Sequence, residues 1–499
     1  MSVPFYTVFY LLVAATGYLT YITRYSPSSQ SGDSSKPNTT KSVTFASFQK
    51  LYLVVYTLVM LGDWLQGPYV YALYDSYGYS QHDNAVLFVV GFGSSMIFGT
   101  FIGSLADTLG RKNGCLMYTV CYIGSCCTKH VNYYPVLALG RLLGGVSTSL
   151  LFSVFDAWMI NEHNARGFDP ALLGDTFGLA IFCNSCIAIA AGLFANIAAG
   201  SAEMHAVGGG VAEGGELPAI ARNDGTIYAG GYCAPFDVAI CVLLAGAYVI
   251  QTKWSENFGE VSATASTDSK FKGVKDGMQT VLNSRKIWMC GAISSFFEGS
   301  MYTFVFMWTP ALMGSSSSSG HRKLLGVERL LQDEEQESLP FGLIFATFMV
   351  ACMGGSGLFT LLSKKMKVTV LSKYVFMVAS GSLLIPVLTN NKTLIFGGFL
   401  AFEATVGMYF PAMGTMKSMV VPEAQRSAIY NIYRIPLNVI VLGVLLTKME
   451  MTTAFGCCAV MLGAASYFQV QLTQIMEEEE KEKSGSGGGG DEELGELLE

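Results

Sequence analysis

Thirteen apolar stretches, each long enough to cross a lipid bilayer as a helix, follow one another along a chain of 499 residues. A spanning helix needs about 20 predominantly apolar residues, and a helix is favoured because it satisfies its own backbone groups where water is absent. The stretches fall near 4–22, 47–74, 84–107, 113–131, 134–160, 172–199, 233–251, 287–313, 340–362, 369–388, 394–416, 425–447 and 451–474. They predict an all-α polytopic membrane protein. Composition agrees: 51% of residues are hydrophobic and 13% charged, and 55 Gly beside 32 Phe and 23 Met suit helices packed in lipid.

Charge and cysteine content exclude several classes. The net charge of −7 comes largely from an acidic, low-complexity tail over 475–499, so it says little about partners, and no basic face suits a nucleic acid. Nearly all of the 12 cysteines lie inside apolar runs, where a thiol acts as a small hydrophobe. Cys183 and Cys186 form a CxxC in mid-helix with no second Cys or His cluster, so neither a metal nor a redox centre is expected. No nucleotide loop, catalytic-triad spacing or cofactor motif is present, which argues against an enzyme.

Loop charge sets the orientation. The turn Gly103-Ser104-Leu105-Ala106-Asp107-Thr108-Leu109-Gly110-Arg111-Lys112 separates two apolar stretches, and Arg111 and Lys112 assign it to the cytoplasm by the positive-inside rule. Lys253, Lys270, Lys272, Lys275, Arg285 and Lys286 then fall on the same side, as do Lys364, Lys365 and Lys367. The loop 75–84 and the Gly-rich segment 200–232 carry few bases and fall outside. The first stretch lacks a basic leader and is followed by Arg24, Lys36, Lys41 and Lys50, which predicts an outside N-terminus and no cleaved signal. One feature conflicts with this topology: Asn38-Thr39-Thr40 is a glycosylation sequon on the cytoplasmic side, whereas Asn391-Lys392-Thr393 falls outside but close to the membrane.

Setting the first stretch aside leaves twelve, divided six and six by a long basic loop. The expected organisation is an extra helix and linker over 1–46, a six-helix bundle over 47–251, a basic cytoplasmic loop over 252–286, a second bundle over 287–474 and the tail. Two such bundles suit a midplane site exposed alternately to either side, so transport is the leading class.

Gly103 to Lys112 resembles the signature G-x-L-[AS]-D-x-x-G-R-K of the major facilitator superfamily and falls between the second and third of the twelve helices, where that signature belongs. Arg141 and Gly145 are similar to its fourth-helix R-x-x-x-G motif, and the fifth-helix Gly-Pro antiporter motif is absent. The stretches Asp63-Trp64-Leu65-Gln66-Gly67-Pro68-Tyr69, Ser153 to Trp158, Phe296 to Ser300 with Trp308-Thr309-Pro310, Tyr409-Phe410-Pro411, and Tyr433-Arg434-Ile435-Pro436 resemble the molybdate-anion transporters of that superfamily. The resemblance covers roughly 47–475 and implies a major facilitator fold, import of molybdate and residence in the plasma membrane. The Gly-rich loop, the insertion 314–340 and the tail lie outside it and receive no chemistry. A monomer working in the lipid bilayer is expected.

Ionisable side chains at bilayer depth are expensive unless paired or wet, which singles out Asp63, Arg141, Asp156, Glu298, Glu403 and Arg434. A tetrahedral oxyanion calls for a fixed positive charge with many donors, and the planar fork of arginine suits it better than a lysine that can lose its proton. Arg434 is therefore the first candidate for substrate contact and Arg141 the second, with hydroxyls from Tyr69, Tyr302 and Tyr409, and also Tyr71, Ser147 and Thr148. The alternative is that both arginines pair with acids and hold helices together. Importing a dianion against an inside-negative potential costs roughly 4.6 kcal/mol at 100 mV, so a coupled cation is needed. Asp63, Glu298 and Glu403 are the candidate proton carriers or, equally, static charge pairs.

The resemblance further implies a cytoplasmic gate in which Asp107 faces the helix beginning near Gln425 and Arg111, beside Lys112, pairs with Asp156. The glycines Gly91, Gly93, Gly99, Gly144 and Gly145 and the prolines Pro68, Pro310, Pro411 and Pro436 are expected to serve helix packing and kinking. Two other functions remain open: a facilitator of a neutral or organic solute, and a sensor or scaffold that keeps the fold without carrying flux.

Overall fold

A computed structural model describes residues 4–25, 39–99, 102–169, 171–207, 223–258, 278–313, 339–422, 426–447 and 449–486. The sequon residue Asn38, residue Gln425, the loop bases Lys270, Lys272 and Lys275, most of the insertion and the last part of the tail lie outside the described residues, as does the side chain of Asp107.

The described chain is almost wholly helical. Its helices are α1 (Phe5–Tyr25), α2 (Thr39–Trp64), α3 (Val70–Ser76), α4 (Gln81–Gly99), α5 (Ile102–Leu109), α6 (Arg111–Thr128), α7 (Tyr134–Ala165), α8 (Ala171–Gly200) and α9 (Ala234–Lys253). They continue as α10 (Arg285–Met313), α11 (Phe341–Leu362), α12 (Val368–Leu388), α13 (Lys392–Val420), α14 (Arg426–Leu446) and α15 (Met451–Ser486). Among the described residues nine helices, not thirteen, are long and apolar enough to cross a membrane. The other four expected stretches are helices too, α4, α6, α10 and α14; the described apolar run of α14, Ile432–Leu446, is short, and in α10 polar side chains dilute the hydropathy. These are Ser294, Ser295, Glu298, Ser300, Thr303 and Thr309, and all but Glu298 are buried in the protein. Val120, Phe152, Ile181, Tyr248 and Val460 are exposed instead. This inverted distribution is the one expected when lipid replaces water around the helices.

The helices group into two compact units. The first comprises Met1–Ala14, Tyr25–Ala263 and Thr309–Val350; the second comprises Ala15–Arg24, Thr264–Trp308 and Ala351–Glu499. In the first unit α7 packs on α4 and α6, α6 on α9, and α2 on α8 and α9. Gly145 of α7 makes the approach to α4 possible, since a side chain there would collide with Ser94. Trp158 and Trp254 stack face to face at 3.7 Å in its core. In the second unit α12 packs on α13 and α15, and Phe297 of α10 stacks on Tyr409 of α13 at 3.9 Å. The start of α13 is fixed by Asn391, whose side chain accepts from the amides of Thr393 and Leu394 at 3.0 and 3.3 Å.

A small antiparallel pair, β1 (His205–Ala206) and β2 (Tyr228–Ala229), brings the described part of the long loop onto the α6–α7 turn. Val131 bridges Ile227, the Tyr228 amide donates to His130 O at 2.7 Å and the Asn132 amide to Thr226 O at 2.9 Å. The loop thus roofs the end of α6 opposite the Gly103–Lys112 turn.

Candidate transport site

In the second unit, α10 and α13 hold an ion pair within the segment read as membrane-spanning. Glu298 Oε1 lies 3.5 Å from Lys417 Nζ, and the two side chains are 23% and 19% exposed. The same oxygen accepts from Ser294 Oγ at 2.8 Å and from Tyr409 Oη at 2.8 Å, and the two hydroxyls are 3.2 Å apart. Lys417 also sits 5.5 Å from the Tyr430 ring centroid, a cation–π distance. The Tyr409 ring stacked on Phe297 holds its hydroxyl toward the carboxylate. Glu298 therefore has a basic partner, and that partner is Lys417, which the expected span ending at residue 416 stopped one residue short of including. The helix runs on to Val420, and its length is the signal that would have found the lysine.

Arg434 is exposed on α14, while its neighbour Tyr433 is buried and donates to Ile287 O at 2.6 Å. That anchor is completed by Ser295 Oγ donating to Tyr433 O at 3.0 Å, so the backbone carrying Arg434 is tied to α10. Tyr302, one turn beyond Glu298 on α10, lies under the fields of both Glu298 and Arg434. Glu298, Tyr302 and Tyr409, with Arg434 beside Tyr302, are thus brought together. The guanidinium has no carboxylate within ion-pair distance among the described residues. Glu403 is separate: it is 6% exposed in mid-α13, near Cys352, and has no ion pair among the described residues.

In the first unit Asp63 accepts a very short hydrogen bond from Tyr122 Oη. No cation pairs with it among the described residues. Tyr69 is buried, donates to Asn196 Oδ1 at 3.3 Å and receives the Gly342 amide at 3.4 Å, so its hydroxyl is already engaged inside the unit. Arg141 donates from Nε to Leu87 O at 3.2 Å, and its guanidinium carbon lies 4.6 Å from the Phe88 ring centroid.

The break at Gly110 between α5 and α6 is braced by a segment to which the sequence assigned no role. Gly110 takes φ +102°, and the Glu256 carboxylate lies where its Cβ would be, 2.7 Å from either oxygen. That carboxylate accepts from the amides of Lys112 and Asn113 at 2.8 and 3.2 Å, capping the positive end of α6. The Arg111 amide donates to Asn257 O at 2.9 Å, Asn257 Nδ2 to Trp158 O at 3.1 Å, and Trp158 Nε1 to Ser255 O at 2.8 Å. Lys112 Nζ reaches Gln251 O at 3.1 Å. Arg111 Nη1 donates to Ala157 O at 3.1 Å, next to Asp156, and Asp156 accepts from Tyr52 Oη at 3.0 Å.

Charged groups held among long apolar helices are the pattern of a polytopic membrane protein. A family model described as sugar transporters with 12 transmembrane spans matches residues 4–211 and 223–409, so the first helix lies within the match. The fold agrees with a nucleoside transporter structure (TM-score 0.59, 9% identity, 85% of this chain and 99% of that one) and with a D-xylose–proton symporter (TM-score 0.59, 11% identity, 85% and 97%). Among curated proteins, the molybdate-anion transporter of Xenopus tropicalis is 31% identical over 420 residues, covering 81% of each chain, and that of Danio rerio 30% identical over 425 residues, covering 79% and 78%. The chain belongs to the molybdate-anion transporter family of the major facilitator superfamily, a family of transporters and not of enzymes.

Proposed function

We propose that the protein is a secondary active transporter that imports molybdate by alternating access, driven by protons. The observation that carries this reading is the state of Arg434: the Glu298 charge is taken up by Lys417, which leaves the guanidinium exposed beside Tyr302 to receive an anion. Arginine offers a tetrahedral oxyanion paired, permanently charged donors. The names of the relatives supply the anion.

Proton coupling follows from the charge balance. Two protons make entry of a dianion electroneutral and a third lets an inside-negative potential assist. Glu403, buried with no cation among the described residues, and Asp63, held by Tyr122, are the carriers best suited to lose and regain a proton. Glu298 couples the two charges when a proton or anion displaces Lys417. The gate consists of Asp107, Arg111, Lys112 and Asp156 at one end of the first unit. The protein works as a monomer in the plasma membrane, with two six-helix bundles over 47–251 and 287–474 joined by the basic loop, and a further helix ahead of them.

Uptake of labelled molybdate into proteoliposomes, with sulfate competition and with or without an imposed pH gradient, tests substrate, selectivity and coupling together. Accumulation that follows the gradient in the parent protein and becomes gradient-independent in Glu403→Gln is expected; uptake indifferent to the gradient removes the coupling. The description of the family model as sugar transporters favours a second reading, a neutral solute. Arg434→Lys discriminates, since it abolishes oxyanion uptake and spares transport of a sugar.

A further inference from the structure

We propose that Lys129, Arg141 and Tyr74 of the first unit form a second binding site for a tetrahedral oxyanion. Lys129 follows the last residue of α6 and is 1% exposed. Among the described residues its ammonium has one hydrogen bond, to Ser125 O at 3.3 Å, and lies 5.9 Å from the Tyr74 ring centroid. Arg141 of α7 has the single bond to Leu87 O and the Phe88 face already described, so most of its donors are unused. The two cations lie within each other's field, and neither has a carboxylate within ion-pair distance among the described residues. The acid Asp237 lies 3.1 Å from His130 Nε2 and is about half exposed, with 53% of its side chain accessible. Tyr74 is fully buried, feels the Arg141 charge, and its hydroxyl has no hydrogen-bond partner among the described residues.

A buried lysine without a counter-charge either gives up its proton or takes a counter-ion, and a neighbouring guanidinium that cannot deprotonate favours bringing in an anion. The fold makes room for both. A side chain at Gly91 would stand 2.7 Å from Arg141 Nη2, and one at Gly140 would meet Thr128 and stand 3.0 Å from Lys129 Nζ. The α6–α7 turn above them is closed by the strand around Tyr228, and Tyr77 Oη fixes the Lys129 backbone by donating to its carbonyl at 2.8 Å. An ammonium, a guanidinium fork and a hydroxyl supply donors almost exclusively. That set suits a fully deprotonated dianion of tetrahedral shape and serves a sugar poorly, since a sugar also needs acceptors. The site lies at the end of the first unit opposite the break between α5 and α6. The choice of molybdate as the anion rests on the reading of the chain as a molybdate carrier; the demand for a counter-anion does not.

Equilibrium binding of labelled molybdate to the full-length protein in lipid nanodiscs tests this, with unlabelled sulfate and phosphate as competitors. In the Arg434→Gln protein one saturable anion per chain is expected to remain. Adding Lys129→Met abolishes it, adding Lys129→Arg keeps it, and adding Tyr74→Phe weakens it by about fivefold for one lost hydrogen bond. Loss of all saturable anion binding in Arg434→Gln overturns the proposal, as does unchanged affinity after Lys129→Met. Where Lys129→Met fails to fold, the isosteric Tyr74→Phe decides, and unchanged affinity there overturns it. Lys129-dependent binding of sulfate or phosphate without molybdate would uphold the site and defeat the molybdate reading instead.

Discussion

The two units carry intramembrane charge in opposite ways. The second unit compensates its lysine, setting Lys417 against Glu298 with two hydroxyls on the same carboxylate, and leaves Arg434 exposed. The first unit buries Lys129 completely, with Arg141 beside it and no acid paired to either among the described residues. A compensated pair needs no ligand for its charge balance, and under the proposed function it is the element that a proton would switch. An uncompensated pair gains from a bound anion. The difference separates groups suited to coupling from groups suited to holding an anion.

The comparison is most easily broken at Arg434. Arg434→Gln removes the exposed charge and is expected to lower molybdate uptake about 10- to 100-fold, the scale of one to two charge-assisted hydrogen bonds, measured as initial rates in proteoliposomes. Uptake within twofold of the parent would mean that the second unit does not hold the anion. A smaller effect sharpens the view of Glu298. Glu298→Gln strands Lys417 and is expected to destabilise the protein by roughly 2 kcal/mol, less than for a fully buried pair because each side chain keeps about a fifth of its surface (23% and 19%). The double variant Glu298→Gln/Lys417→Met should be more stable than the single one. Thermal unfolding in detergent reads both, and additive losses would deny the pair any coupling.

Two weaker predictions concern helix ends. Glu256→Ala uncaps α6 and is expected to cost about 1–2 kcal/mol, from the lost amide bonds and the charge at the positive helix terminus. Because it braces the turn beside Arg111 and Lys112, it should also alter the uptake rate more than anion affinity, and a pure affinity loss would separate the brace from the gate. Asn391→Ala removes the α13 cap and should cost about 1 kcal/mol with transport unchanged. An uptake defect in that variant would show that the Glu298–Lys417 pair responds to the far end of its helix.

Much of the helical framework was legible because burial in lipid needs long apolar runs. The four less apolar helices were legible as well, although Ser294, Ser295, Ser300 and their neighbours lower the hydropathy of α10. The charged residues were legible one at a time. Asp63, Arg141, Glu298, Glu403 and Arg434 stand out because a charge among apolar residues is rare. Their partners were not. Lys417 lies 119 residues from Glu298, and Tyr122 lies 59 residues from Asp63, separations that no local pattern encodes. Lys129 sits where an apolar run meets a loop, the position at which a lysine ordinarily reaches water.

The sequence by itself determined a helical membrane protein and the set of charges that had to be explained, because length and polarity are local properties of a chain in lipid; that Gly103 to Leu109 is helical, with the break confined to Gly110, was settled by the structure. Only the tertiary structure decided which charges meet. It set Lys417 on Glu298, left Arg434 exposed, buried Lys129 near Arg141 where the strand around Tyr228 closes the α6–α7 turn, and brought Glu256 to the amide end of α6. Pairing depends on distances across packed helices, and those are fixed by the close approach of side chains far apart in the chain.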